Sequence, residues 1–323
     1  MDKAHRTDIE FNAEGVTLRG WLYRPAHADA ASHLPVIIMT PGYNAIKELY
    51  LDCFAEYFAE RGMIVLVYDN RNFGDSDGEP RGELDPWVQV RDYRHAITFA
   101  QQLPGVDPLR VGIWGSSYSG GHVLVVGAID RRVKCVVSQV MTTNGYESLV
   151  RRQRPDHLYD LYRRFEQDRK ARFAGAKPEY VPMVTAPEAP TGQIRSHASN
   201  DAFVFFTGVG APASDAWRFK KWNREITLRS IEMHSEYEPA SYIARIAPTP
   251  LLMVIGHNDV ITPTDLQLAA YNKAHEPKKL VILDGGHFAP YVVKFKETAE
   301  AQCAWFTQHL IESTVSREPP NIF

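Results

Sequence analysis

The 323-residue sequence predicts an α/β fold in which helices cover both faces of a mostly parallel, doubly wound sheet. Short apolar runs recur along the chain, and segments of helical spacing separate them. Uninterrupted apolar runs are typical of parallel strands that are buried on both faces. One long stretch interrupts the alternation and predicts an inserted cap. The apolar runs are 35–40, 63–68, 111–114, 133–140, 251–255 and 279–283.

The other elements follow in order along the chain. Residues 7–23 alternate in polarity around a turn at Glu14 and Gly15, which predicts a hairpin. Apolar side chains at helical spacing predict further helices, one of which ends at Gly62. Proline is favoured in the first turn of a helix, so Asp85 and Pro86 indicate a helix start. The predicted helices cover 48–62, the segment from 85 to 100, the segment after 117, 264–274 and 292–311.

Residues 141–250 are predicted to form a cap that is inserted into a core made of residues 1–140 and 251–323. About 110 residues separate the two flanking strands, far more than a connection between core elements needs. Residues 177–190 predict a loop. The aromatic side chains of this stretch either form a small core of the cap or line the pocket. They are Phe203, Phe205, Phe206, Trp217, Phe219 and Trp222.

The first part of the predicted cap, residues 151–172, is basic. A cluster of this kind indicates either a solvated helix face or a site for an anionic part of a substrate, such as a carboxylate or phosphate. Both interpretations stay open at this stage. The cations are Arg151, Arg152, Arg154, Arg163, Arg164, Arg169, Lys170 and Arg172.

Residues 110–121, with the sequence RVGIWGSSYSGG, are the most informative motif of the chain. An apolar strand ends in a turn of small residues and a helix follows, which is the construction of a nucleophile elbow. Gly115 lies two positions before Ser117, whereas Ser119 occupies the later position at which glycine is expected. We therefore predict Ser117 as the nucleophile, rather than Ser116 or Ser119.

An acid and a base follow at the ends of two later strands. Asp259 comes shortly after the strand at 251–255, and His287 comes shortly after the strand at 279–283. The chain order serine, acid, histidine matches that of α/β hydrolases, so we predict Asp259 and His287 as the partners of Ser117. The residues considered as alternatives are Asp265 and Asp284 for the acid and His122 and His257 for the base.

Together these motifs resemble the α/β-hydrolase superfamily over nearly the whole chain. Within it, the chain is similar to the branch of dienelactone hydrolases and X-Pro dipeptidyl peptidases, and to fungal polyketide transferases. This resemblance implies the α/β-hydrolase fold and a Ser-His-Asp triad. The motifs that carry it are 15–25, Thr40 to Tyr43, Tyr68 to Gly78, the elbow, Gly256 to Pro263, and Gly286 with His287.

The resemblance also implies an oxyanion hole. The backbone N–H of Tyr118, directly after the nucleophile, is the expected first donor. The second donor is expected from the loop after the strand at 35–40, where Tyr43 follows Pro41 and Gly42. The sequence leaves open whether Tyr43 donates through its backbone N–H or its hydroxyl.

Composition excludes several other classes of function. The formal net charge of −3 gives no electrostatic basis for binding nucleic acid. Three widely spaced cysteines, Cys53, Cys135 and Cys303, indicate neither a disulfide framework nor a zinc cluster. The first residues lack the apolar segment of a signal peptide, and no apolar run approaches 18 residues. We therefore expect a cytoplasmic protein that uses no metal or organic cofactor and does not bind membranes, and we leave open whether it forms a homo-oligomer.

These features predict a serine hydrolase that cleaves a carboxylic ester or related acyl bond of a small molecule through an acyl-enzyme. Three other reactions use the same triad: thioester cleavage, acyl transfer to an alcohol, and hydrolysis of a carbon–carbon bond. An alternative from a different class is a non-catalytic protein of the same fold that binds a small ligand.

Overall fold

The computed structural model describes residues 3–153, 155–186, 196–197 and 199–312, and an eight-stranded sheet lies at its centre. The described residues form ten strands: β1 (His5–Ala13), β2 (Val16–Arg24), β3 (Leu34–Thr40), β4 (Ile64–Tyr68), β5 (Val106–Ser116), β6 (Val133–Gln139), β7 (Tyr180–Pro182), β8 (Glu225–Thr227), β9 (Leu251–Gly256) and β10 (Lys278–Leu283). Their α-helices are α1 (Leu51–Ala59), α2 (Pro86–Ala100), α3 (Tyr118–Ile129), α4 (Gly145–Arg152), α5 (Pro155–Phe173), α6 (Asn200–Thr207), α7 (Leu228–Ser235), α8 (Thr264–Lys273) and α9 (Phe295–Phe306).

The central sheet has the strand order β1-β2-β4-β3-β5-β6-β9-β10. Strand β2 pairs antiparallel with β1 and β4, and all other neighbours are parallel, which confirms the predicted α/β fold. Thr40 at the end of β3 pairs with Gly115 of β5, and Ser116 pairs with Gln139 of β6. The carboxyl ends of these strands therefore lie side by side, at the edge where open α/β sheets bind ligands.

The inner strands of the sheet are covered on both faces, which explains why β3, β4 and β9 are nearly continuous apolar runs. Successive side chains of a strand point to opposite faces. In β3, Val36 and Ile38 belong to a buried cluster with side chains of α2 and α3, whereas Ile37 and Met39 belong to a second cluster with α1 and α9. All four side chains are completely buried. The core thus lies in two layers, one on each side of the sheet.

Two local predictions are confirmed because short-range chemistry determines them. Glu14 and Gly15 join β1 to β2 with φ angles of 50° and 85°, a turn conformation that glycine adopts without steric cost. Helix α2 begins at Pro86, and the Asp85 side chain accepts hydrogen bonds from the backbone N–H groups of Trp87 and Val88.

Other boundaries differ from those predicted. The helix predicted at 48–62 covers only Leu51–Ala59, and the one predicted at 292–311 begins at Phe295. The later start follows from Val292, whose φ of −124° and ψ of −83° are not helical. The segment 177–190, predicted as a loop, contains β7, which pairs antiparallel with the distant β8. Residues 187–190 lie outside the described part of the chain.

The stretch between β6 and β9 packs against the core at the carboxyl edge of the sheet. Trp222 donates through Nε1 to the backbone oxygen of Asn44, over 2.9 Å, in the loop after β3. Arg218 donates to the backbone oxygen of Glu48 and pairs with Asp52, with N–O distances of 3.0 and 2.5 Å. These contacts join residues of the predicted cap to the loop after β3 and to the first turn of α1. The division into a core and a cap with the stated boundaries stays a prediction.

Most cations of the basic segment are engaged in ion pairs on the surface of this region. Arg164 pairs with Glu179, Arg169 with Glu232, Lys170 with Glu166, Arg172 with Asp168, and Arg151 with Asp265. These pairs fit the interpretation of the segment as a solvated helix face. Arg152 differs, because its guanidinium turns toward the interior. Arg154 lies outside the described residues.

None of the helices that the structure describes combines the length and apolar character needed to cross a bilayer.

Candidate active site

Ser117 occupies a sharp turn between β5 and α3. Its φ of 59° and ψ of −118° form a strained conformation that side chains rarely adopt, as a nucleophile elbow requires. A Cβ atom at Gly115 would lie only 2.1 Å from the backbone oxygen of Ser119. The turn can therefore close only with glycine at position 115. This geometry presents the Ser117 side chain at the carboxyl edge of the sheet.

Ser119 fits where the motif usually has glycine because its side chain points into the protein. The Ser119 hydroxyl accepts from the backbone N–H of Ser116 over 2.9 Å and donates to the backbone oxygen of Thr40 over 2.7 Å. It is completely buried. The serine at this position thus fastens the elbow to the end of β3 and leaves the space around Ser117 clear.

The Ser116 side chain is also buried and does not reach the surface of the site. Its hydroxyl accepts from Nε2 of Gln139 over 2.9 Å and lies 2.5 Å from the hydroxyl of Tyr291. Gln139 accepts in turn from Nε2 of Gln302 over 2.7 Å. Ser116 is completely buried, so of the three neighbouring serines only Ser117 is partly exposed at the site.

The structure brings Ser117, His287 and Asp259 together, although they are far apart in the chain. Ser117 Oγ lies 2.9 Å from Nε2 of His287, and Nδ1 of the same ring lies 2.8 Å from Oδ2 of Asp259. His287 follows β10 and Asp259 follows β9, so adjacent parallel strands position the pair. His287 and Asp259 are each 4% exposed, whereas Ser117 is more open.

The Asp259 carboxylate is held in a dense set of hydrogen bonds. One oxygen accepts from the backbone N–H groups of Ile261 and Thr262, both over 2.9 Å. The other accepts from His287, from the Thr262 hydroxyl over 2.8 Å, and from Gln267 over 3.2 Å. Burial opposes ionisation, but His287 and the bonds from Thr262 outweigh it and hold the pKa of Asp259 below its ordinary value. The group is thus kept as a carboxylate.

The alternative acids and bases lie elsewhere. Asp265 pairs with Arg151 over 2.8 Å at the surface, and Asp284 is exposed. His257 is exposed, whereas His122 is buried in α3. The two ring nitrogens of His122 contact the Tyr237 hydroxyl over 3.0 Å and Oε1 of Gln89 over 2.9 Å.

The two predicted oxyanion donors flank Ser117. A Cβ atom at Gly42 would lie 2.9 Å from Cβ of Ser117 and 3.4 Å from the backbone nitrogen of Tyr118, so the loop after β3 touches the elbow. Among the hydrogen bonds of the described residues, neither the N–H of Tyr43 nor that of Tyr118 is used. The two tyrosine rings pack edge to face, 5.1 Å apart.

The Tyr43 side chain lies on the side of the predicted cap. Its ring contacts the rings of His197 and His234, at centroid distances of 5.4 and 5.3 Å. Burial raises the pKa of the phenol, and Ser196 and Arg152 are the groups that oppose this rise. The Tyr43 hydroxyl is itself buried and has no hydrogen-bond partner among the described residues.

A small cavity opens beside Ser117 and His287. Most of its wall is apolar, and residues of the predicted cap contribute part of it. Two of the six predicted aromatics, Phe205 and Phe206, line the cavity, and Phe206 stacks on Trp222 with ring centroids 5.2 Å apart. The other lining residues are Gly42, Tyr43, Ala45, Leu49, Leu51, Met183, His197, Ile261, Phe288 and Tyr291.

Sequence reasoning missed Tyr291 and the pair formed by Arg152 and His197. Tyr291 lies one helical turn after His287, a spacing that could have indicated it. No sequence signal connects Arg152 to His197, because the fold alone brings them together. No cluster of three or more His, Cys, Asp or Glu side chains suited to a metal ion occurs among the residues that the structure describes.

Comparisons with known proteins agree with this architecture. The family model described as X-Pro dipeptidyl-peptidase (S15 family) matches residues 14–289. A thiohydrolase of Eupenicillium brefeldianum is 32% identical over 289 residues, and the quorum-quenching protein AidA of Acinetobacter baumannii is 33% identical over 287 residues. Each alignment covers 88% of both chains. The crystal structure of the α/β hydrolase GrgF from Penicillium matches with a TM-score of 0.80 at 27% identity, covering 95% of this chain and 99% of that one.

The fold and these matches define the chain as an α/β hydrolase. It belongs to the X-Pro dipeptidyl-peptidase (S15) family, which confirms the resemblance stated from the sequence motifs.

Proposed function

We propose that this α/β hydrolase is a serine hydrolase that cleaves a carboxylic ester or a related acyl bond through an acyl-enzyme. The observation that carries the proposal is the hydrogen-bonded series Ser117, His287 and Asp259 at a strained elbow. A serine hydroxyl is a poor nucleophile at neutral pH, and a hydrogen-bonded imidazole can remove its proton. The carboxylate of Asp259 orients that imidazole and stabilises the imidazolium that forms.

In the first half of the reaction, Ser117 Oγ attacks the substrate carbonyl carbon while its proton passes to Nε2 of His287. The tetrahedral intermediate then collapses, and the leaving group departs with that proton. In the second half, water attacks the acyl-enzyme, and His287 accepts a proton from the water and returns it to Ser117 Oγ. The acid is released and the free enzyme is restored.

The backbone N–H groups of Tyr43 and Tyr118 are proposed to stabilise the negative charge on the carbonyl oxygen. Both flank Ser117 and neither donates elsewhere among the described residues. Preorganised donors of this kind contribute about 10²- to 10³-fold each to the turnover of acyl-transfer enzymes. The fixed packing of the two tyrosine rings supports such preorganisation.

Thioester cleavage or acyl transfer is the second candidate, because relatives that cover most of the chain are named thiohydrolase and polyketide transferase. The same triad performs either reaction. A thiol replaces the alcohol as the leaving group in the first case, and an alcohol replaces water as the acceptor in the second.

A substrate panel tests the proposal and separates the candidates. Hydrolysis of p-nitrophenyl esters with acyl chains of two to twelve carbons is compared with hydrolysis of the matching N-acetylcysteamine thioesters, for the wild type and Ser117→Ala. Turnover of the esters by the wild type, lost in Ser117→Ala, supports an ester hydrolase. A clear preference for the thioesters favours the second candidate. If neither series is turned over, the result counts against a serine hydrolase and in favour of a non-catalytic protein of the same fold.

A further inference from the structure

His197 occupies a fixed place on the wall of the cavity beside Ser117. Its backbone N–H donates to the oxygen of Met183 over 2.9 Å, which holds the residue against β7 and its neighbours. Its ring packs against that of Tyr43, whose backbone N–H is the proposed oxyanion donor. The residue is only 5% exposed. The ring therefore lies within the site and has little freedom to reorient.

Arg152 determines which nitrogen of the His197 ring carries the proton. One guanidinium nitrogen of Arg152 lies 3.2 Å from Nε2 of His197, and another donates to the backbone oxygen of Ile261 over 2.9 Å. A guanidinium can only donate hydrogen bonds, so Nε2 must be the acceptor. The proton of a neutral imidazole then resides on Nδ1, which becomes a hydrogen-bond donor.

Charge and burial keep the His197 imidazole neutral. Burial and then the nearby Arg152 hold the pKa of His197 well below its ordinary value. Burial also lowers the pKa of Arg152, to about 10, which still leaves the guanidinium charged at neutral pH. At neutral pH, the Arg152 guanidinium is therefore charged and the His197 imidazole that it contacts is neutral.

The Nδ1 group of His197 has no hydrogen-bond partner among the described residues, and it is buried. An unpartnered N–H in such a place is costly, and native proteins rarely leave one unsatisfied. His197 is among the residues that line the cavity, so a molecule bound there can supply an acceptor. The Tyr43 hydroxyl is a second buried polar group without a partner among the described residues on this mostly apolar wall.

We propose that His197, positioned by Arg152, donates a hydrogen bond from Nδ1 to an oxygen that the substrate carries beyond its scissile carbonyl. The inference rests on the proposed function and adds a substrate class to it, namely acyl or alcohol groups with a keto or hydroxyl oxygen. A plain alkyl chain would fill the same cavity and leave the N–H unsatisfied. Arg152 acts through His197 and is a positioning residue.

The test compares matched activated esters in wild type and variants. Values of kcat/KM are measured for p-nitrophenyl hexanoate and its 3-, 4- and 5-oxo derivatives, and for naphthyl acetates with and without a hydroxyl group on the alcohol. The ratio of oxygen-bearing to plain ester is then compared between proteins, which cancels intrinsic reactivity and any general loss of active enzyme. For His197→Phe we expect the ratio to fall about 2- to 10-fold for at least one oxygen position.

Other variants separate hydrogen bonding from packing. His197→Asn retains an N–H near the position of Nδ1 and should keep most of the preference. Arg152→Met should lower the ratio, whereas Arg152→Lys, which still donates, should preserve it. His234→Phe is the matched control, because His234 is 4% exposed and also unpartnered at both ring nitrogens but does not line the cavity. Its ratio should equal that of the wild type.

The outcomes separate this inference from the proposed function. An unchanged ratio in His197→Phe at every oxygen position, or an equal fall in His234→Phe, overturns the role of His197 while leaving the serine hydrolase intact. Absence of turnover of all esters by the wild type contradicts the proposed function and this inference with it. NMR of ¹⁵N-histidine-labelled protein provides a second readout, because a proton on Nε2 of His197 in the wild type also overturns the inference.

Discussion

Among single residues, Asp259 shows how the fold fixes a side chain of the proposed triad. Its two oxygens accept hydrogen bonds from two backbone N–H groups, from Thr262 and Gln267 and from His287, so its position is fixed before any substrate binds. A carboxylate held in this way keeps one tautomer of the imidazole and leaves Nε2 facing Ser117, as the proposed proton transfer requires.

Asp259→Asn should lower kcat for p-nitrophenyl acetate by about 10⁴-fold, because an amide in place of the carboxylate favours the wrong tautomer of His287. Steady-state kinetics with an assay sensitive to trace activity measures the effect. Asp265→Asn is the control, since Asp265 pairs with Arg151 at the surface and should be replaceable at little cost to turnover. A larger loss in Asp265→Asn than in Asp259→Asn would reassign the acid.

Gly42 allows the loop after β3 to lie close to Ser117, because it has no side chain. In Gly42→Ala, the new Cβ would lie 2.8 Å from the Ser116 oxygen and 2.9 Å from Cβ of Ser117, so the loop must move. Because that loop carries one of the proposed oxyanion donors, we expect kcat to fall about 10²-fold or more with KM less affected. In the control Gly286→Ala, the new Cβ meets nothing closer than 3.5 Å and should cost no more than about twofold in kcat. Equal effects of the two changes would contradict the assignment.

The sequence predicted Ser117, Asp259 and His287 because each follows a recognisable strand, and their order along the chain is that of α/β hydrolases. The packing of Ser119 and the pair of Arg152 and His197 could not be predicted. Both depend on which side chains the fold brings together across long distances in the chain. Nothing in the local sequence distinguishes Arg152 from the surface cations that surround it.

At the scale of elements, two loops at the carboxyl edge are fastened to each other by a buried ion pair. Lys47, in the loop after β3, contacts Asp69 over 2.7 Å and Asp75 over 2.6 Å, both in the loop after β4. The Lys47 side chain is 1% exposed and that of Asp69 is completely buried. The cluster thus holds the loop that carries Gly42 and Tyr43.

Lys47→Met should destabilise the protein by about 3–5 kcal/mol, because it leaves the Asp69 carboxylate buried without its cation. Urea unfolding followed by circular dichroism measures the change. Lys221 makes a contact of 2.6 Å with the same Asp75 but is 55% exposed, so Lys221→Met should cost less than about 1 kcal/mol. A similar decrease in the free energy of unfolding for both variants would show that the buried ion pair contributes no more to stability than the exposed one.

Helix α6 supplies part of the cavity wall. Phe206→Ala should raise kcat/KM for p-nitrophenyl octanoate relative to the acetate, because removal of the ring leaves room for a longer acyl chain. Val204→Ala, on the same helix but 39% exposed, should leave that ratio unchanged. An unchanged ratio in Phe206→Ala, measured on folded protein, would mean that α6 does not select the acyl chain.

Element boundaries were predictable where local chemistry fixes them, as at Asp85 and Pro86. They were not predictable for β7, because a three-residue strand exists only through its pairing with the distant β8. The start of α9 at Phe295 likewise depends on the backbone of Val292, which no periodicity reveals.

At the scale of the whole molecule, a mostly parallel sheet aligns the ends of β5, β9 and β10 and so brings together three residues that are widely separated in sequence. The stretch between β6 and β9 lies over that edge and contributes Phe205, Phe206 and His197 to the cavity. The strand ends position the proposed reactive groups, and the stretch between β6 and β9 supplies side chains that line the cavity beside them. This division allows relatives to share chemistry while differing in substrate.

Reaction with a fluorophosphonate probe, followed by peptide mass spectrometry, tests whether Ser117 is the nucleophile. The probe forms a covalent bond with an activated serine and releases fluoride. We expect a single adduct on Ser117 in the wild type, no adduct in Ser117→Ala, and strongly slowed labelling in His287→Ala. An adduct on Ser116 or Ser119, or full esterase activity retained in Ser117→Ala, would contradict the assignment of Ser117 as the nucleophile.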